Sequence, residues 1–237
     1  MALLVTLFAG LFFLLGALVA WRARGHGAIE DFSVAIAFGS LACVAATDLG
    51  PEAIEAAEEL GWPLAIVLVA LGAVVLVVLD RLIPDHHTEE GDEGAAHIGA
   101  MAVFAVSLHN IAEGATIYAI ASQDLSSGLA LALGVGLHNA PMGMLLYATM
   151  KHNRARGIAV LAVAVLSTFV GGLIMFALGG VIDEAVMSGV VCITLGMIAY
   201  ILFAELLPAM VRRGNPARSI IGVIIGAAFV LVGSLFE

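Results

Sequence analysis

"LAIVLVALGAVVLVVL", residues 64–79, runs for sixteen positions without a charged or hydrogen-bonding side chain. A strand of a membrane barrel would alternate apolar with polar residues, whereas this run is apolar on every face, which fits a helix surrounded by lipid. Extended outward, it becomes a span over 63–83. The same pattern recurs over 2–20, 32–49, 97–120, 128–150, 157–180, 186–208 and 219–236. Each window matches the roughly 20 apolar residues needed to cross a bilayer. Short polar or Gly/Pro-containing connections separate them, among them "WRARGHG", "GPEAIEAAEEL", "KHNRARG", "DEA" and "RRGNPARS". The expected fold is an all-α integral membrane protein of eight spans, forming one transmembrane domain over residues 1–237.

Composition agrees. The 237 residues are 62% hydrophobic and 12% charged, with a mean hydropathy of +1.11, outside the range of soluble domains. A net charge of −10 gives no basic surface for nucleic acid. Cys43 and Cys192 both fall inside spans, so no disulfide framework is expected. The first span has no basic residue ahead of it, so it is expected to be a retained helix rather than a signal peptide.

All nine basic residues lie in or beside alternate connections: Arg22 and Arg24, then Arg81, then Lys151, Arg154 and Arg156, then Arg212, Arg213 and Arg218. The positive-inside rule makes those connections cytoplasmic and puts both termini outside. The opposite connections carry Glu52, Glu55, Glu58, Glu59, Asp124, Asp183 and Glu184, with no Lys or Arg. An acidic outer rim of this kind concentrates cations, although a solvated polar loop explains it equally well. On the cytoplasmic side, "DHHTEEGDEGAAH" places His86, His87 and His97 among five carboxylates. The loop over 84–97 is therefore a weak candidate for receiving a transition metal.

Ionisable residues inside spans are costly and mark function. His109 and Glu113 are four residues apart, so they share one face of the fourth span. His138 and Met142 repeat that spacing in the fifth. A constant offset of 29 overlays Leu108 on Leu137, His109 on His138, Asn110 on Asn139, Gly114 on Gly143 and Tyr118 on Tyr147. Consecutive spans are antiparallel, so the match predicts an inverted pair presenting His and Asn at similar depth. Two imidazoles, a carboxylate and a nearby thioether form a borderline-soft set suited to zinc, cadmium, iron(II) or manganese. Met142 fits either a ligand or a gap-filler. Pro141 cannot donate to the Leu137 carbonyl, which predicts a kink and a freed oxygen beside His138. Gly114 and Gly143 are expected to let helices approach closely.

These residues resemble the ZIP family of divalent metal transporters. His109, Asn110, Glu113 and Gly114 match its fourth-span HNxxEG motif, and His138, Asn139, Pro141 and Gly143 its fifth-span H-[NED]-x-P-x-x-G pattern. "TDLGPEA" at 47–53 is similar to the family's second-span HLLPEA, with Asp48 in place of His. "GMIAYILFAELLPAM" at 196–210 is similar to the seventh span, which commonly ends in ELLPEA, so that Glu205 and Pro208 carry over. The resemblance implies eight spans with both termini outside, no prosthetic group, and passage of a divalent metal, zinc foremost, into the cytoplasm. It implies a metal site of His109, Glu113, His138 and Met142 with Asn110 and Asn139. Asp48 and then Glu205, His86 and His87 would mark the entry and exit path.

The family commonly bridges two metals with a fifth-span glutamate and adds an acid from span six. Here Met142 replaces the first, and "VLSTFVGGLIMFALGG" holds no acid. A single-metal site is therefore expected. Two other readings stay open: a metal-binding sensor or scaffold that moves nothing, and an intramembrane zinc hydrolase, for which HExxH is absent. The Gly-rich spans are compatible with a homodimer and equally with internal packing.

Overall fold

The computed structural model describes residues 1–22, 28–82, 92–148, 154–179, 181–212 and 215–236. Among these there is no strand, and eight helices are long and apolar enough to cross a membrane. Helix α1 is Ala2–Arg22. Helix α2 begins as Ala28–Val44, passes through a π-helical Ala45–Leu49 and continues as Gly50–Leu60. Helices α3 to α6 are Trp62–Leu82, Asp92–Gln123, Leu125–Ala148 and Arg154–Leu178. Helix α7 is Glu184–Tyr200, a π-helical Ile201–Leu206 and Leu207–Arg212, and α8 is Pro216–Gly233.

All eight expected spans are present, but several boundaries move. "GPEAIEAAEEL" is not a loop: it extends α2 by three turns, burying Ala56 and Ala57 against α7 while its glutamates stay exposed. Only Gly61 separates α2 from α3, and its positive φ of 88° is a conformation that glycine, with no Cβ, adopts without steric cost. The segment from Asp92 onward, expected to be loop, already belongs to α4. His86 and His87 lie outside the described residues. Pro141 is accommodated within a continuous α5.

The two π-helical segments have a common sequence cause. Asp48 stands three residues before Pro51, and Glu205 three before Pro208. A proline inside a helix cannot complete its i→i−4 bond, and widening one turn absorbs the mismatch without breaking the helix. In α7 the Leu207 amide accordingly reaches back five residues to the Leu202 carbonyl.

Helices α1, α4, α5 and α6 pack on one another; α2 packs on α8 and α3 on α7. Backbone contact through glycine builds these pairs. A Cβ on Gly16 would stand 1.8 Å from the Ala140 carbonyl oxygen, which brings α1 directly onto α5. The main core runs through the middle and includes Phe13, Leu49, Leu76, Met101, Leu145, Ile198 and Leu206. Ile66, Val67, Val74 and Val78 of α3 stay exposed, as lipid-facing residues do.

Asp124 is the single residue between α4 and α5. Its carboxylate accepts from the hydroxyls and amides of Ser126 and Ser127. These bonds, the Ser127 hydroxyl first, hold its pKa down at about 2. A depressed carboxylate stabilises the fold above its unfolded value of 3.8 and loses that contribution as pH falls toward about 2. Asp124→Ala is therefore expected to lower Tm in detergent by about 2–4 °C, the scale of one helix cap in a chain this long. The difference from wild type should be constant between pH 5 and 8, and thermal melts at three pH values in that window check it.

Candidate metal centre

Helices α4 and α5, joined by a tight turn, bring three of the expected residues to one point. Glu113 Oε1 lies 2.9 Å from His109 Nε2 and 2.8 Å from His138 Nε2. The first distance follows from the i,i+4 spacing on α4. The second closes the gap to α5, setting the imidazole centroids 6.0 Å apart with planes 30° from parallel. One donor atom from each of the three residues lies within 4.8 Å of the other two, a spread that a small cation can bridge. His109 and His138 are buried, at 6% and 5% exposure, and His109 Nδ1 has no hydrogen-bond partner.

Asn110 is fully buried, beside the carboxylate. If its amide oxygen faced Val106 and Glu113, it would set itself against a carbonyl and a carboxylate. The opposite orientation satisfies every group: Nδ2 donates to the Val106 carbonyl at 3.2 Å and to Glu113 Oε2 at 3.3 Å, while Oδ1 accepts from the Ser167 hydroxyl of α6 at 3.1 Å. The two oxygens of Glu113 thus face different partners.

The remaining expected residues are placed as follows. Asn139 is buried, with its Nδ2 unpartnered. Met142 is buried in the main apolar core with Phe13, Leu145 and Leu146. The His138 carbonyl accepts a long bond, 3.4 Å, from Ser40 of α2. Glu205 lies half-buried in the π segment of α7. Asp48 lies in the other π segment, with Thr47 Oγ1 2.7 Å from its Oδ1.

Asp48 also lines a cavity of about 330 Å³ that reaches His109 and Glu113 from one end of the bundle. Its walls carry Asp48, Glu52, Glu55 and Glu59 of α2 and Glu184 of α7. The helical extension of α2 produces this arrangement, since Glu52, Glu55 and Glu59 recur at three- and four-residue intervals on one face. Ser188 of α7 donates to Glu59 Oε2 at 2.6 Å and ties the two walls together. An acidic outer rim was legible in the sequence, but the helical register that aims these acids inward was not. Ser167 was missed as well, because a single serine in an apolar span carries no signal of its own.

Eight membrane-length helices around a buried carboxylate and two imidazoles, open through an acidic cavity, define a polytopic membrane protein with a cluster able to hold a metal ion inside the bundle. Comparison with known proteins points the same way. The zinc transporter ZupT of Stenotrophomonas maltophilia (strain R551-3) is 27% identical over 245 residues, covering 95% of this chain and 91% of the relative. Zinc transporter ZupT of Neisseria meningitidis serogroup B (strain ATCC BAA-335 / MC58) is 30% identical over 132 residues, 48% of this chain and 49% of the relative. No protein-family profile matches the chain. The chain is thus similar, along nearly its whole length, to proteins named as zinc transporters.

Proposed function

We propose that this protein is a carrier that moves divalent transition-metal ions, zinc foremost and cadmium, iron or manganese as alternatives, across the membrane into the cytoplasm. One observation carries the reading: the buried His109–Glu113–His138 cluster at the inner end of an acid-lined cavity. Two neutral nitrogens and one carboxylate oxygen satisfy zinc's ligand preference and leave a coordination position for exchange. A site that must release its cargo needs that vacancy. The relatives named as zinc transporters support the same substrate.

With both termini outside, as the arginine distribution implies, the acidic cavity opens to the extracytoplasmic side. A hydrated cation drawn in by Asp48, Glu52, Glu55 and Glu59 exchanges waters for the two imidazoles and Glu113. Glu205 lies toward the opposite end of the path.

The site holds one ion. Glu113 is the sole carboxylate in the cluster, and the packing of Met142 among apolar side chains supports gap-filling rather than ligation. Uptake by proteoliposomes of zinc, cadmium, manganese and iron(II), offered singly, tests the carrier reading; folded protein that moves none of them would overturn it. Met142→Glu tests occupancy. Equilibrium dialysis is expected to give one zinc per wild-type chain and two per Met142→Glu chain, and one in both would show that the missing acid does not limit the count.

A further inference from the structure

We propose that Asn110, held by Ser167, is a positioning residue that fixes Glu113 for the cation rather than a ligand of it. The inference rests on the carrier reading and gives a role to Ser167, which that reading leaves unused.

The donating side of the Asn110 amide is occupied by the Val106 carbonyl and by Glu113 Oε2, and its oxygen accepts from Ser167. The only atom by which an amide ligates a metal is that oxygen, and here it faces α6. Glu113 Oε1, in contrast, faces both imidazoles. A carboxylate on a flexible three-torsion side chain would otherwise sample many orientations, and fixing one oxygen through a buried hydrogen bond removes most of that freedom.

The anchor is itself well held. Ser167 is 4% exposed and Asn110 0% exposed, so water offers neither group a competing partner. Ser167 Oγ also lies 2.7 Å from the Ala164 carbonyl of its own helix, so its single hydroxyl proton is shared between that carbonyl and Asn110 Oδ1. One residue on, the Thr168 carbonyl oxygen meets the position of a Cβ on Gly114 at 1.9 Å. Helix α6 therefore grips α4 twice, on either side of Glu113 in sequence: by side chain at Asn110 and by backbone at Gly114.

The test uses the full-length chain in detergent with zinc as the probe. Affinity and stoichiometry come from equilibrium dialysis, and the atoms around bound zinc from X-ray absorption. Wild type is expected to bind one ion. Ser167→Ala, a small change at a residue that touches no ligand nitrogen, and Asn110→Ala are each expected to weaken binding by about tenfold or more. The double variant should be no weaker than Asn110→Ala alone, because both act through one hydrogen-bond chain. The atoms around zinc should be unchanged in both single variants.

Additive losses, wild-type affinity in Ser167→Ala, or an oxygen neighbour lost from zinc in Asn110→Ala would overturn the positioning role. Absence of zinc binding by folded wild type would instead overturn the carrier reading, and this inference with it.

Discussion

Glu113→Gln is expected to leave the protein folded and to remove zinc uptake. The substitution keeps volume and one oxygen, and it deletes the single negative charge of the cluster. Even at an effective dielectric of about 20, one unit charge and another 4 Å apart interact by roughly 4 kcal/mol, and a dication doubles that. Water drawn into the site offsets part of the loss. Zinc affinity is therefore expected to fall by at least about a hundredfold, with uptake lost in proportion at micromolar zinc.

Stability should respond in the opposite sense. A carboxylate buried among apolar helices costs free energy that its hydrogen bonds only partly return, so the neutral isostere is expected to melt no lower than wild type. Zinc at about a hundred times its Kd adds roughly 2.7 kcal/mol to wild type, or about 5–10 °C in Tm for a chain of this size. The variant should show no such rise. Paired melts with and without zinc, alongside proteoliposome uptake, check both halves, and uptake within threefold of wild type would remove Glu113 from the site.

That contrast explains why the cluster is legible in the sequence alone. A charge that lowers stability persists in an apolar span only where it acts on something, so His109, Glu113 and His138 stood out against "MAVFAVSL" and "LALALGVG". Their spacing fixed the shared face of α4, and the offset of 29 fixed the partner on α5. The spans were legible for the same reason, since sixteen apolar residues in a row leave helix in lipid as the sole solution.

What escaped was decided by tertiary contact. The extension of α2 is rich in glutamate and looks like a loop, because its buried side consists only of small residues, Ala56 and Ala57, which leave no hydrophobic stripe. The π segments depend on how a helix absorbs Pro51 or Pro208, which local propensity does not decide. Ser167 gains its meaning from Asn110, 57 residues earlier in the chain, and no pattern within α6 announces the pairing.

Gly114→Ala is expected to be the most damaging conservative change among the described glycines near the site, and clearance sets the sign. A Cβ at Gly114 would stand 1.9 Å from the Thr168 carbonyl oxygen and 2.7 Å from its carbon. The reciprocal contact is as tight, with a Cβ at Gly171 2.0 Å from the Ile111 oxygen. Both obstacles are backbone, so no rotamer change relieves them. The two helices must separate by roughly an ångström or more, at a packing cost of about 1–3 kcal/mol, against a helix-propensity gain of no more than about 1 kcal/mol. Separation also stretches the Asn110–Ser167 bond and moves Glu113, so zinc uptake should fall together with Tm. Gly189→Ala provides the control: its nearest neighbour is Leu68 Cδ1 at 3.8 Å, in ordinary contact. There the propensity term acts alone, and Tm is expected to stay level or rise slightly. Equal melting temperatures for the two variants would show that α4 and α6 are not held together at Gly114, and the backbone half of the grip on Glu113 would have to be abandoned.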